Sequence, residues 1–122
     1  MTARPWHNEY DDGVPFDIEW ERMRLDQLLR RTARAHPEHT AIIFYDRKIS
    51  YRELDDLVDR LAATLQDLGV GPGDRVSLFM PNCPQVIVAY HAAWRAGAIV
   101  VPSNPLYTAA EFAHQTADAG SK

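Results

Sequence analysis

Apolar and polar positions change rhythm several times along this chain, and each change marks an element. From Leu25 the rhythm is helical: Leu25, Leu28, Leu29 and Thr32 share a face, Arg30, Arg31 and Arg34 point away, and Pro37 ends the segment. Ala41 to Tyr45 reads as a short strand, Asp46 and Arg47 as a turn, and Lys48 to Tyr51 as the returning strand of a hairpin. No glycine stands where a primed turn favours one. Ser50-Tyr51-Arg52-Glu53 is a capping box, in which the Ser50 hydroxyl accepts from the amide of residue 53 and the Glu53 carboxylate reaches back to the amide of residue 50. The helix it opens carries Leu54, Leu57, Val58, Leu61, Leu65 and Leu68 on one stripe, and Gly69 supplies its left-handed end.

Gly71-Pro72-Gly73-Asp74 predicts a turn, and Arg75 to Met80 a strand with Val76, Leu78 and Met80 on one side and Phe79 on the other. After Pro81 and Pro84 a mostly apolar helix runs over 85–96 and stops at Gly97; Ala98 to Val101 follows as a wholly apolar strand. A strand that is apolar on both faces belongs to a parallel sheet covered by helices, so the unit is βαβ, with a right-handed crossover. Thr108-Ala109-Ala110-Glu111 is a second capping box, whose helix closes at Gly120. The next element of such a progression is a strand, and the sequence stops where it would begin; the expectation is an incomplete piece of a larger α/β domain. Residues 1–24 fit neither rhythm. Their six acids, three arginines and the aromatics Trp6, Tyr10, Phe16 and Trp20 predict an extended arm. That many rings are unfavourable in water, so the arm is expected to lie against this body, against a missing one, or against a second subunit. The expected organisation is an arm over 1–24 and a body over 25–122.

Composition narrows the classes. The 122 residues are too few for two independent cores, and 46% apolar with 25% charged excludes wholesale disorder. Thirteen basic against seventeen acidic residues give a formal charge of −4 with no basic run, which argues against nucleic-acid binding. The single cysteine, Cys83, forms no intramolecular disulfide, and no secretory leader or membrane-length apolar run is present, so a soluble chain in a cytoplasmic, reducing compartment is expected.

Candidate chemistry is thin. Cys83 lies between Asn82 and Pro84 with no adjacent His or basic residue to activate it, and no G-x-S-x-G elbow exists, so Cys83 reads as structural. His36 and His39 offer two metal ligands without a third at a known spacing and read as loop residues. His91, on the face of Ile87 and Trp94, reads as a packed histidine with a satisfied hydrogen bond rather than a substrate contact, and His114 on the last helix reads the same way. Asp55, Asp56 and Asp59 read as a solvated helix face, with Asp56 paired to Arg60 at i, i+4. A phosphate cradle needs a glycine-rich loop and a lysine; the only lysines are Lys48 and Lys122, and Gly69-x-Gly71-x-Gly73 joins a helix to a strand, the reverse of a dinucleotide fingerprint. The residues by themselves define no catalytic, cofactor or metal site.

The order of the segments nevertheless resembles the N-terminus of adenylate-forming enzymes of the AMP-binding superfamily, in particular the long-chain fatty acid:CoA ligase branch. Ile49-Ser50-Tyr51-Arg52-Glu53-Leu54 resembles the family's first core motif, and Gly71-Pro72-Gly73-Asp74-Arg75-Val76 with Met80-Pro81-Asn82 the turn and strand after it. Trp94-Arg95-Ala96-Gly97-Ala98-Ile99-Val100-Val101-Pro102 resembles the second core motif. Asn104-Pro105-Leu106-Tyr107-Thr108, with Glu111, His114, Gln115, Asp118 and Gly120, continues as that branch does. In the arm, Trp6, Tyr10, Gly13-Val14-Pro15 and Ile18 are similarly spaced, and Ala109 departs from the family by replacing a common proline.

The resemblance implies the large N-terminal α/β domain of those enzymes, here truncated. It implies an enzyme that forms an acyl-adenylate from a fatty acid and ATP with Mg2+, then passes the acyl group to coenzyme A. It carries no catalytic residue onto this chain, because the family's phosphate loop, ribose-binding aspartate, hinge and C-terminal lysine have no counterpart here. The 122 residues alone are therefore expected to be inactive, to bind no cofactor, and to self-associate. Two alternatives stand beside this reading: an aromatic or medium-chain acid:CoA ligase, and a non-catalytic binding or oligomerisation module. Peripheral membrane contact is left open by the long-chain substrate.

Overall fold

The structure, a computed structural model, describes residues 4–121; Lys122 lies outside them. Among the described residues four α-helices and two two-stranded sheets follow one another in the order α1 (Leu25–Ala35), β1 (Thr40–Phe44), β2 (Arg47–Ser50), α2 (Tyr51–Asp67), β3 (Arg75–Phe79), α3 (Pro84–Arg95), β4 (Ile99–Ser103), α4 (Ala109–Ala119). β1 and β2 are antiparallel, and β3 and β4 are parallel with Arg75 opposite Ile99 and Phe79 opposite Ser103. The parallel pair expected on either side of an apolar helix is present, with α3 touching both its strands and also α1 and α2.

The helix ends form as the sequence dictates. The Glu53 amide donates to Ser50 Oγ (3.2 Å) and the Ser50 amide to Glu53 Oε2 (2.8 Å); the Thr108–Glu111 pair repeats the arrangement at α4. Such a cap stabilises a helix by about 1 kcal/mol. At the far end of α2, Gly69 at φ +84 lets Val70 N–H reach Leu65 C=O and Gly69 N–H reach Gln66 C=O, a six-to-one and five-to-two closure. Gly97 ends α3 in the same way against Ala93 and Trp94.

The main core joins Leu29 of α1, Ile49 of β2, Leu54, Val58 and Ala62 of α2 and Ala92 of α3, with Ala41, Ile42, Leu61, Leu65 and Val88 packed around them. Two details of the expected stripes are corrected. Leu68 is exposed because α2 ends at Asp67 and the chain has already turned away, while Ala62, unremarked in the stripe, is buried. On α1 the inward face is Asp26, Leu29 and Ala33; Leu25 (53%) and Leu28 face solvent. Leu29 takes its place in the main core, Arg30 reaches across to Asp59 of α2, and the Arg24 guanidinium grips Asp26 with two 2.9 Å bonds that make its burial tolerable.

Three further departures have local causes. The hairpin turns at Tyr45-Asp46, one residue early, with Tyr45 at φ +50 taking the left-handed conformation that no glycine was available to supply. β4 is not covered on both faces: Ile99 is half exposed and Pro102 exposed among the described residues. Within the segment expected to be extended, Pro5–Glu9 forms a 3-10 helix, and its rings gather on one another, His7 stacking on Phe16 at 4.5 Å with Tyr10 alongside. Arg31 ties this segment to α1 through Glu21 (2.6 Å).

At Gly97 two constraints coincide. Its φ is +88, and a Cβ there would stand 3.1 Å from Pro72 Cγ and 3.3 Å from Pro72 Cα. Gly69 has the same φ sign and open space around it. Gly69→Ala is expected to destabilise by about 1–2 kcal/mol through backbone strain alone; Gly97→Ala should lose about 1–3 kcal/mol more through overlap with Pro72. Urea midpoints of the two variants at constant m-value check the ordering.

Candidate functional site

Several places among the described residues gather polar or ligand-sized features. The first is an ionic clasp between helices. Arg95, in the last turn of α3 with 8% of its side chain exposed, donates to Asp55 Oδ1 (2.6 Å), to Asp59 Oδ1 (2.8 Å) and to the Asp55 carbonyl (3.2 Å). Arg30 of α1 donates to the same Asp59 Oδ1, so three helices meet on two carboxylates. Asp56, paired with Arg60 one turn on, lies on the expected solvated face and Asp59 is half exposed, whereas Asp55 is largely buried. Asp55 and Asp59 instead hold a nearly buried cation. The signal available was Arg95 one turn beyond His91 on the apolar face of α3, too slight to read without the helix positions.

His91 sits one turn before Arg95 and lies edge-on to Trp94 at 5.2 Å. Its expected satisfied hydrogen bond is not formed: Nδ1 is buried without a partner among the described residues. Burial, and after it the Arg95 charge, push the His91 imidazole below its ordinary value, with Asp55 opposing.

The second place is an apolar groove of about 390 Å³ between the hairpin, α2 and the start of α3, with Arg47 as the one charged residue of its lining. The third is a shallower groove of about 320 Å³ along α4, where His114 meets Tyr107, Gln115 and Asp118 beside Glu111. The Glu111 carboxylate is committed to the Thr108 amide and hydroxyl, which hold it below the usual carboxylate range.

The other sequence candidates are scattered. Cys83 occupies the position before α3 and is half-buried. His36 and His39 stack face to face at 4.9 Å, a geometry that turns their nitrogens along parallel planes rather than onto one ion. No three His, Cys, Asp or Glu residues converge on a metal position among the described residues. No helix among them is long and apolar enough to cross a membrane.

Residues 29–122 match the sequence profile of the family described as AMP-binding enzyme. The Long-chain-fatty-acid--CoA ligase of Bacillus subtilis is 39% identical over 119 residues, covering 98% of this chain and 21% of the ligase. Among solved structures, the Mycobacterium tuberculosis fatty acyl CoA synthetase superposes with a TM-score of 0.77 at 33% identity, over 81% of this chain and 20% of that one. The Klebsiella oxytoca NpsA N-terminal subdomain in complex with anthranilyl-AMSN also superposes with a TM-score of 0.77, at 28% identity over 80% of this chain and 26% of that one. The chain thus spans about a fifth of the length of the curated ligase it matches.

The clasp and its neighbour generate one linked prediction. Because His91 is held below its unfolded value, the unfolded chain binds more protons below about pH 6.5, and stability falls as pH drops through that region. Arg95→Met removes a cation that opposes protonation and leaves Asp55 and Asp59 without it. His91 should then titrate higher by NMR, while stability at pH 7.5 falls by about 2 kcal/mol, below the figure for a fully buried pair because Asp59 is half exposed.

Proposed function

Because the chain belongs to the AMP-binding enzyme family, we propose that it supplies the scaffold that opens the large domain of an ATP-dependent long-chain fatty acid:CoA ligase. The reaction of such an enzyme joins a long-chain fatty acid to coenzyme A by way of an acyl-adenylate, using ATP and Mg2+. The observation that carries the reading is the 39% identity to a bacterial long-chain ligase across 98% of the chain, arm included. On this reading residues 1–24 are an accessory arm and 25–122 the body, and the enzyme works in the cytoplasm with peripheral membrane contact.

The residues present do not fit the nucleotide or its metal. Asp55, Asp56 and Asp59 are each engaged by arginine. The Gly71–Asp74 turn directs Gly71 N–H to the Asp74 carboxylate and Gly73 N–H to Gly97 C=O. No step of adenylation is therefore assigned to these residues, and their role is support: caps, glycine stops and the clasp fix where β3, α3 and β4 stand. Support for an aromatic-acid relative as the second reading comes from the likeness to the NpsA subdomain with its anthranilyl ligand.

Adenylyl transfer depends on positioned charge. The 122-residue chain should show no ATP–pyrophosphate exchange with palmitate above a heat-killed control; turnover by this chain would sink the scaffold reading. Grafting residues 29–122 onto the matching segment of the Bacillus subtilis ligase should preserve palmitate turnover. The whole protein carrying this sequence should exchange with palmitate in preference to anthranilate, and the reverse preference would replace the long-chain reading with the second one.

We also propose that the chain by itself self-associates, since Phe79, Ile99 and the arm aromatics are exposed. Light scattering across a dilution series should show mass falling with concentration. A cooperatively melting monomer at micromolar concentration would refute this.

A further inference from the structure

α4 is held differently from the other helices. α1, α2 and α3 each bury three residues in the body, whereas none of the 11 residues of α4 is buried and the helix rests chiefly on β4. Strand register fixes the face beneath it. Phe79 stands opposite Ser103 and Ser77 opposite Val101, and alternate residues of a strand share a face, so Ser77, Phe79, Ile99, Val101 and Ser103 project together. Among the described residues a ring contact and a hydrogen bond join α4 to this sheet: Phe112 lies 4.5 Å from Phe79, and Gln115 Nε2 donates to the Pro102 carbonyl (3.1 Å). Ile99 stays half exposed beside them.

The seam is polar where a tight one would be apolar. Ser103 is buried, yet its Oγ has no hydrogen-bond partner among the described residues, and Gln115 Oε1 and Ser77 Oγ are buried and unpartnered in the same way. Such oxygens raise the energy of the docked state, and the cost is returned when water reaches them. Undocking therefore loses a ring pair and a hydrogen bond but restores hydration to three oxygens. The ends of α4 ask nothing of the body either: Thr108 and Glu111 cap its start, and Ser121 N–H closes on Thr116 C=O past Gly120. Residues 104–107, which lead into it, are exposed and fold on themselves, with Leu106 N–H donating to Asn104 Oδ1 and Tyr107 N–H to the Asn104 carbonyl.

We propose that α4 is a latch on the parallel sheet, undocking as one unit about residues 104–107 and uncovering the Phe79–Ser103 face while α1, α2, α3 and both sheets stay packed. Access to that face is gated by the docking of this helix. Once released, a helix of 11 residues is too short to persist in water, so its amides lose protection together.

Hydrogen exchange of the 122-residue chain at low micromolar concentration, read by mass spectrometry on peptides from α2, α3 and α4 in urea below the unfolding midpoint, tests this. The α4 peptide should be protected, yet exchange about a hundredfold faster than those of α2 and α3, through an opening with little urea dependence. Phe112→Ala should speed α4 exchange about tenfold further and leave α2, α3 and the melting temperature unchanged. Ser103→Ala, which removes an unpartnered hydroxyl, should slow α4 exchange about threefold. The proposal is overturned by an α4 without any protection, by α4 exchanging at the rate and urea dependence of α2 and α3, by Phe112→Ala speeding all three helices alike, or by faster α4 exchange in Ser103→Ala.

Discussion

A helix held between two layers must present small side chains to both, and α3 is that helix. It touches α1 and α2 on one side and β3 and β4 on the other. Ala89, Ala92, Ala93 and Ala96 recur along it at helical spacing, all buried, with Ala92 and Ala93 fully so. Small residues let neighbouring backbones come close, and interiors packed to crystal-like density leave no slack for larger ones. At the end of this stripe the one long polar side chain, Arg95, crosses the seam to Asp55 and Asp59. The rest of the body is arranged around that wedge: α2 supplies the acids, α1 is rotated so that Arg30 shares one of them, and the parallel strands stand on the opposite side.

Elsewhere the elements are fixed by groups within a few residues of their own ends. Both capping boxes and the glycine closures after α2, α3 and α4 satisfy terminal amides and carbonyls without help from distant parts of the chain. This division accords with the scaffold role proposed for the segment. The residues that repeat a family pattern here are those that stop and start helices, such as Ser50, Glu53, Gly97 and Thr108, and their demands are steric and local.

That division also decides what was legible beforehand. The caps, the glycine stops and the parallel strands flanking α3 follow from spacing, because each is a contact between near neighbours or a choice of face. The rotation of α1 did not follow, since Leu25 and Leu28 compete with Leu29 and Ala33 for the interior and the outcome is set by packing against residues distant in sequence, among them Val58 and Ala92. The left-handed Tyr45 was hidden by the lack of a glycine, and the clasp by carboxylates that look like any solvated helix face until a third helix arrives. The groove was half visible: the alternation of Ile42, Phe44, Arg47 and Ile49 marks the hairpin face, but not what lies under it.

The clasp also has a place in time. Synthesis delivers α1 and the hairpin first, then α2 with both ends already self-satisfied, so a native-like helix can form on the emerging chain from local contacts alone. Asp55 and Asp59 are exposed on it while Arg95, 40 positions after Asp55, is still inside the ribosome, and in that interval Arg30 is the interhelical cation available to them. Arg95 comes to them only with the rest of α3, whose Ala92 belongs to the same core as Val58 and Ala62, so the clasp closes together with the apolar seam it borders.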